Sequence, residues 1–373
     1  MRSVQRRRQV KRSVIAGAVG ALGIVAVNST ATAEPASFAA VLAERFAELK
    51  TPGLGYAVVV DGRIVEQGGL GVADVHSGEP VSENTPFRVA SLTKPPSAAL
   101  LLAAVADGKL DLDTPLVQAS TRFRERCEPI KAHFERRGYS YLRGIDCGDE
   151  SVTLRTVATH TSRRPVGTRY RYNGFLFGLM GEAIANALEP GLSFEAVVRL
   201  HLIEPLALKR TAAGVNDMAG SAVVAALAAP HVVNAYGGWQ VKPRLTGRIS
   251  PAAGMISSAH DMARIDIAFT PGGLVTPDVW TRMTTPTVLA DGAQSPYGLG
   301  WFVQELAGRK LVWHYGWQPD AYSALWLKDL KHRTSLILLA NSDGLSRGYR
   351  LGRGDITRSP MARWFLEWSE GRR

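Results

Sequence analysis

Apolar positions recur along this chain with two periods, and the switch between them divides it. From Ser37 to Leu49 they fall at Phe38, Val41, Leu42, Phe46 and Leu49, the spacing of one helix face. Gly55–Val60 and Arg63–Gly68 are short strand-like runs around Asp61-Gly62, a dipeptide favoured in two-residue type I′ hairpin turns. Val72–Val75 is a candidate extension of that sheet. A long middle stretch then reads as helical: Ser91 to about Asp107 with Gly108 as its stop, Thr153–Thr159, Phe175–Leu188, Phe194–Leu206, Ser221–Ala229 and Ser257–Phe269. Leu110–Leu116 reads as a loop. Residues 120–150 are charged and poorly periodic, and read as a surface insertion. The last third returns to β texture, with Tyr297–Leu306, Lys310–Tyr315, Ala321–Lys328 and Thr334–Ala340 forming a predicted antiparallel meander before a closing helix over Pro360–Glu370.

Strands, helices, strands and a final helix predict an α/β protein of the α+β kind. Its antiparallel sheet is built from both chain ends and flanked by helices, with a helical lobe inserted. The expected sheet lobe covers about 34–85 and 290–373, the helical lobe about 86–289. With 373 residues, 46% of them hydrophobic, the chain can bury a large core.

Charge changes this picture only at the N-terminus. Of the net +11, six positive residues (Arg2, Arg6, Arg7, Arg8, Lys11 and Arg12) precede residue 34, where no acid occurs. Taking 6 from 11 leaves +5 for the rest, an ordinary value that argues against a nucleic-acid partner. Those charges precede the apolar run Val14–Val27 and the small-x-small site Ala31-Thr32-Ala33, so residues 1–33 are expected to be a signal peptide cut after Ala33. The run is too short for a stable membrane span after cleavage. Periplasmic or secreted localisation follows as an expectation; Arg7-Arg8 is a faint twin-arginine feature that leaves the export route open. In an exported protein Cys127 and Cys147, the two cysteines of the chain, are expected to form a disulfide. No spacing of cysteines and histidines has a metal-site pattern, so no metal is expected.

The chemistry centres on Val89-Ala90-Ser91-Leu92-Thr93-Lys94. A serine hydroxyl needs a partner to take its proton, and i,i+3 spacing in a helix places Lys94 beside Ser91. By itself this is equally a capping serine with a solvated lysine. Further along come Tyr172-Asn173-Gly174 and His314-Tyr315-Gly316-Trp317. The three motifs together resemble the serine hydrolase family of class C β-lactamases, D-Ala-D-Ala carboxypeptidases and related esterases, with signatures S-x-x-K, Y-x-N and K-T-G or H-x-G. Leu110-Asp111-Leu112, His160-Thr161-Ser162, Ser250 to Asp261, Tyr297 to Trp301 and Leu339 to Ser342 extend the resemblance in order along nearly all of residues 34–373.

The resemblance implies a β-lactamase/transpeptidase-like fold and an exported enzyme acting through an acyl-enzyme, without metal or organic cofactor. Its substrate would be a small molecule or peptide: a D-amino-acid peptide, an ester or a β-lactam. Oligomeric state is left open. Ser91 would be the nucleophile, Lys94 its activator, and Tyr172 a phenolate-forming proton shuttle whose pKa a neighbouring Lys⁺ lowers. The backbone N–H groups of Ser91 and Trp317 would form the oxyanion hole. His314 would hold the cationic position, Gly316 would leave the strand edge open to substrate, and Gly174 and Trp317 would line the binding site.

The chain departs from the family pattern at three places. Gly174 stands where Asn is usual, and Asn173 is expected to point elsewhere. Tyr170 is an alternative register for the tyrosine motif. His314 stands where the third motif often has Lys, and a neutral imidazole would hold a substrate carboxylate less firmly. Arg163 replaces the usual Gly after His160-Thr161-Ser162, and the link to Tyr172 is short. The Gly174 departure leaves a second reading, a silent relative that binds peptidoglycan or a protein partner. His160 is expected to be a structural loop histidine, and Trp301 and Trp313 to be core. Gly344-Leu345-Ser346-Arg347-Gly348 matches the G-x-S-x-G elbow, but no histidine follows it as that fold requires. Arg353-Gly354-Asp355 is a chance tripeptide.

Overall fold

A computed structural model describes residues 37–138, 142–244 and 246–371; the expected signal peptide lies outside the described residues. The β-rich ends of the chain do meet. Among the described residues there are ten strands: β1 (Gly53–Val60), β2 (Arg63–Gly71), β3 (Phe87–Arg88), β4 (His231–Val233), β5 (Trp239–Val241), β6 (Ile256–Ser257), β7 (Phe302–Leu306), β8 (Arg309–Gln318), β9 (Tyr322–Asp329) and β10 (Thr334–Ala340). Six form one antiparallel sheet in the order β2-β1-β10-β9-β8-β7, so the first hairpin is zipped onto the last strand through Leu54↔Ala340 to Val60↔Thr334. The turn is as expected: Asp61 and Gly62 have φ of 49° and 73°, both positive as a type I′ turn requires. The meander supplies the other strands, and β7 begins at Phe302, after the Tyr297–Trp301 segment assigned to it from sequence.

Both faces of the inner strands β1, β9 and β10 are buried, which is why they read as apolar runs without clean alternation, whereas the edge strand β2 alternates exposed and half-buried residues. Leu54, Tyr56 and Val58 of β1 and Leu336, Leu338 and Ala340 of β10 pack with Phe38, Trp364, Phe365 and Trp368, from the first and last helices. The intervening Ala57, Val59, Ile337 and Leu339 belong to the larger core on the other face, shared with the helices. The helix over Ala259–Ala268, capped by Ser258, lies against β1, β2 and β10, so this part of the 86–289 segment packs on the sheet itself.

Two helical expectations need correction. The poorly periodic stretch read as a surface insertion contains a regular element packed on the core: Thr121–Arg136 is a helix whose Ser120 side chain caps it, with Phe123 and Cys127 buried in the main core and Ile130 and Phe134 packed against it. Those four residues recur at helical spacing, a signal hidden among many charges. The stretch 175–188 is two helices, Gly174–Gly178 and Gly181–Leu188. Cys127 and Cys147 are disulfide-bonded with Cα atoms 5.6 Å apart. No helix among the described residues is long and apolar enough to cross a membrane.

Candidate active site

The site is built on a turn between β3 and the helix over Lys94–Ala106. Ala90–Thr93 is a 3₁₀ turn, and the α-helix begins at Lys94, with Pro95 and Pro96 in its first turn where a missing N–H costs nothing. Ala90 has φ of 48°, an unfavourable value for a residue with a Cβ. Several contacts over-determine it. The Val89 N–H donates to the Met255 carbonyl (3.1 Å), Thr93 Oγ1 donates to the Ala90 carbonyl (2.7 Å), and the Met255 N–H donates to Thr93 Oγ1 (3.3 Å). The Ser250–Met255 segment therefore clamps the turn from behind.

On that turn Lys94 Nζ stands 2.8 Å from Ser91 Oγ and 2.9 Å from the carbonyl oxygen of Ala252. The lysine is fully buried, with the rings of Tyr172 and Phe177 5.0 and 5.4 Å from Nζ. Burial lowers its pKa from 10.5 to about 7, and no carboxylate offsets the effect. Neutral Lys94 is therefore available near neutral pH to accept the Ser91 proton. The sequence carried no signal for the Ala252 contact, because a carbonyl oxygen is present at every residue.

The two tyrosines of the motif face different neighbours. Tyr170 donates to the Gly352 carbonyl at 3.1 Å, on the sheet side. Tyr172 faces Ser91 and Lys94. The expectation of a lowered Tyr172 pKa is corrected here: burial and the nearby Tyr315 push it well above 10, against a smaller opposing effect of hydrogen bonding with Ser91. Tyr172 is a neutral phenol over the working pH range, because burial disfavours the phenolate. Asn173 caps the next helix by accepting from the Leu176 N–H at 3.1 Å, so its side chain is directed away from the role that Gly174 leaves open. At Gly174 a Cβ would lie 3.4 Å from Lys94 Nζ, in ordinary contact.

His314 stands behind these residues. It is fully buried on β8, and its Nδ1 lies 2.8 Å from the Tyr315 carbonyl and its Nε2 3.0 Å from Tyr297 Oη. A carbonyl only accepts, so Nδ1 carries the proton and Nε2 accepts from Tyr297. Burial, together with the Lys94 charge, holds the ring pKa well below 6.5. His314 is neutral and offers no cation to substrate. His160 is buried too, its Nδ1 accepting from the Asn173 N–H at 3.2 Å and its ring 4.4 Å from that of Tyr172, a packing role of the kind expected.

Gly316 is needed for a reason different from the one expected. A Cβ there would stand 2.5 Å from the Val89 carbonyl oxygen and 3.3 Å from the Ala90 Cβ, so its absence lets β8 approach the nucleophile turn. Ser346, the serine of the rejected elbow motif, is buried and donates to the Gly316 carbonyl at 2.8 Å. Trp317, the next residue, is 45% exposed at the rim, its Nε1 3.4 Å from Asp343 Oδ2. Trp301 and Trp313 are fully buried, as expected of core. Ser91, Lys94, Tyr172, Gly174 and Gly316 are thus brought together, with His314 behind them. Among the described residues no group of three or more His, Cys, Asp or Glu is arranged to hold a metal ion.

A family model described as Beta-lactamase matches residues 38–356. The D-aminopeptidase of Brucella anthropi is 26% identical over 284 residues, which cover 72% of this chain and 52% of that protein. Esterase EstB of Burkholderia gladioli is 32% identical over 123 residues, covering 33% of this chain and 27% of the esterase. The chain thus spans about half the length, or less, of these curated relatives. Among solved structures, the octameric penicillin-binding protein homologue from Pyrococcus abyssi superposes with a TM-score of 0.69 at 20% identity, over 89% of this chain and 76% of that one. The D-amino acid amidase from Ochrobactrum anthropi SV3 gives 0.63 at 18% identity, over 90% and 98%. At such identities these two show a shared fold.

Proposed function

The chain belongs to the beta-lactamase family, and from that premise we propose that it is a serine hydrolase acting on amides or esters through an acyl-enzyme. One observation carries the reading: Ser91 Oγ lies 2.8 Å from a fully buried lysine whose pKa has fallen to about 7. In the proposed reaction neutral Lys94 accepts the Ser91 proton as Oγ attacks the carbonyl carbon. The backbone N–H groups of Ser91 and Trp317 receive the oxyanion. Collapse breaks the bond to the leaving group, which takes its proton from Tyr172 while Tyr172 recovers one from Lys94. Water then attacks the acyl-enzyme, giving up a proton by the same route, and Ser91 is regenerated.

The names of the relatives, D-aminopeptidase and esterase, support an amide or ester substrate of small size. Export to the periplasm or medium is part of the proposal, and the Cys127–Cys147 disulfide supports it because such bonds persist in oxidising compartments.

The test is intact-protein mass spectrometry after exposure to a fluorophosphonate and, separately, to a penicillin, with Ser91→Ala as control. The expected result is a single adduct that disappears in Ser91→Ala. A long-lived penicilloyl adduct identifies a peptidase-like enzyme; labelling by the fluorophosphonate alone identifies an esterase. A folded protein that forms neither adduct overturns the proposal in favour of a silent binding protein.

A further inference from the structure

The chain lacks a side chain at Gly174, beside the activating lysine, and space opens there. A cavity of about 470 Å³ is bordered by Gly174, Phe175, Gly178 and Ser250, with Arg122 and Arg248 among its other walls. Small residues keep it open: a Cβ at Gly178 would already come within 3.2 Å of Ser250 Oγ. Arg122 stands at the start of the Thr121–Arg136 helix, the element that sequence alone left as an insertion. That helix is fixed in place by three contacts. The Thr121 N–H donates to Glu182 Oε2 (2.8 Å), Phe134 meets Phe175 edge-on at 5.0 Å, and Cys127 is bonded to Cys147. Arg248 is held by a β-bridge to Gly214 and leads directly into Ile249 and Ser250.

Both arginines are exposed, and neither forms an ion pair among the described residues. Glu195 senses the Arg248 charge without pairing with it. An aromatic wall, small floor residues and two guanidinium groups without carboxylate partners make a site suited to an anion on a short carbon chain.

We propose that this cavity is a subsite for an anionic substituent of the substrate, a carboxylate on the arm that extends from Ser91 past Gly174, and that Arg122 and Arg248 are its specificity-determining residues. The inference rests on the serine hydrolase reading and names the substrate class within it. A second group of arginines supports it. The Arg164 N–H donates to the Gly144 carbonyl (3.1 Å) and the Arg171 N–H to the His160 carbonyl (2.8 Å), drawing Arg143, Arg163, Arg169 and Arg171 towards one another. Burial, and then the charges of Arg171, Arg143 and Arg169, lower the Arg163 pKa, so positive potential extends over the segment that leads to Tyr172 and favours approach of anions.

The experiment compares kcat/KM for two matched pairs: mono-p-nitrophenyl glutarate against p-nitrophenyl valerate, with the charge on the acyl arm, and 4-acetoxybenzoate against phenyl acetate, with the charge on the leaving arm. In one pair the anionic substrate is preferred about tenfold at low salt, and the preference shrinks with added salt. In Arg122→Ala and Arg248→Ala the ratio falls towards one. A ratio unchanged by both substitutions, or no preference in either pair, overturns the subsite while fluorophosphonate labelling of Ser91 leaves the hydrolase reading standing. If the protein neither labels nor turns over any ester, the hydrolase reading fails. The subsite is then decided by calorimetric titration with N-acetyl-D-glutamate: weaker binding in the two arginine variants supports it, and equal or absent binding overturns it.

Discussion

Lys94 offers the sharpest test, because one buried amine governs both stability and reactivity. Its pKa is about 7 in the folded protein and 10.5 as the ordinary value expected of the unfolded chain. Below pH 7 both states carry the proton, and the folded state bears the cost of a buried ammonium. As pH rises through 7 the folded protein releases the proton while the unfolded chain keeps it up to about 10.5. The unfolded state then binds more protons, so stability rises with pH across that window, by about 1.4 kcal/mol per pH unit and on the order of 5 kcal/mol in full. In Lys94→Met, a chain of similar length among the same aromatic rings, that contribution is removed. Urea unfolding of both proteins at pH 6, 7.5 and 9 should show the stability difference shifting steadily towards wild type above pH 7. In parallel, the rate of fluorophosphonate labelling of Ser91 should rise with pH through about 7 and level off as neutral Lys94 saturates. A stability difference that stays constant from pH 6 to 9, with labelling still rising at pH 9, would show that Lys94 remains an ammonium. The assignment of the base would then be wrong, and a phenolate at Tyr172 would return as the candidate.

Other substitutions probe the geometry. Gly316→Ala forces a Cβ to 2.5 Å from a backbone oxygen of the nucleophile turn, where little can yield. It should cost about 1–3 kcal/mol in urea unfolding and about a hundredfold in labelling rate, since a shift of about 1 Å in a reacting atom has that effect. Tyr172→Phe should abolish turnover while Tyr170→Phe, which loses only a hydrogen bond to Gly352, keeps Ser91 labelling and loses about 1 kcal/mol of stability; equal effects would refute the choice between them. Gly174→Asn fits beside Lys94 Nζ, and its amide oxygen would favour the ammonium, so the pH–labelling midpoint should move upward. Replacing both cysteines by serine opens a loop of 20 residues and should lower stability by about 3 kcal/mol, read from the urea midpoint.

Much of the fold was legible because it is written in local patterns. The Asp61-Gly62 hairpin, the helices that begin at Phe38 and Ala259 and most of the final meander each depend on neighbouring residues, and each stands close to where the pattern placed it. The Thr121–Arg136 helix was missed because its four apolar positions are outnumbered by charged residues. In the site, the spacing of Ser91 and Lys94 forecast their contact, since three residues make about one helical turn. The sequence also offered both tyrosines of Tyr170-Arg171-Tyr172, and the motif favoured Tyr172. What occupies Tyr170 was not legible, because its partner Gly352 is 182 residues away.

The sequence by itself thus determined the elements, the order of the motifs and the pairing of a serine with a lysine. It could not determine the charge on any of these groups. That depends on how much water and how many opposing charges surround a side chain, which is known only when distant segments close around it. Lys94 is neutralised by its burial in the closed interior and held by a carbonyl 158 residues away. His314 is neutral because burial and the Lys94 charge disfavour the imidazolium, and Tyr172 keeps its proton because burial disfavours the phenolate. Proton affinities in this site are a property of the assembled interior, and the tertiary structure alone decided them.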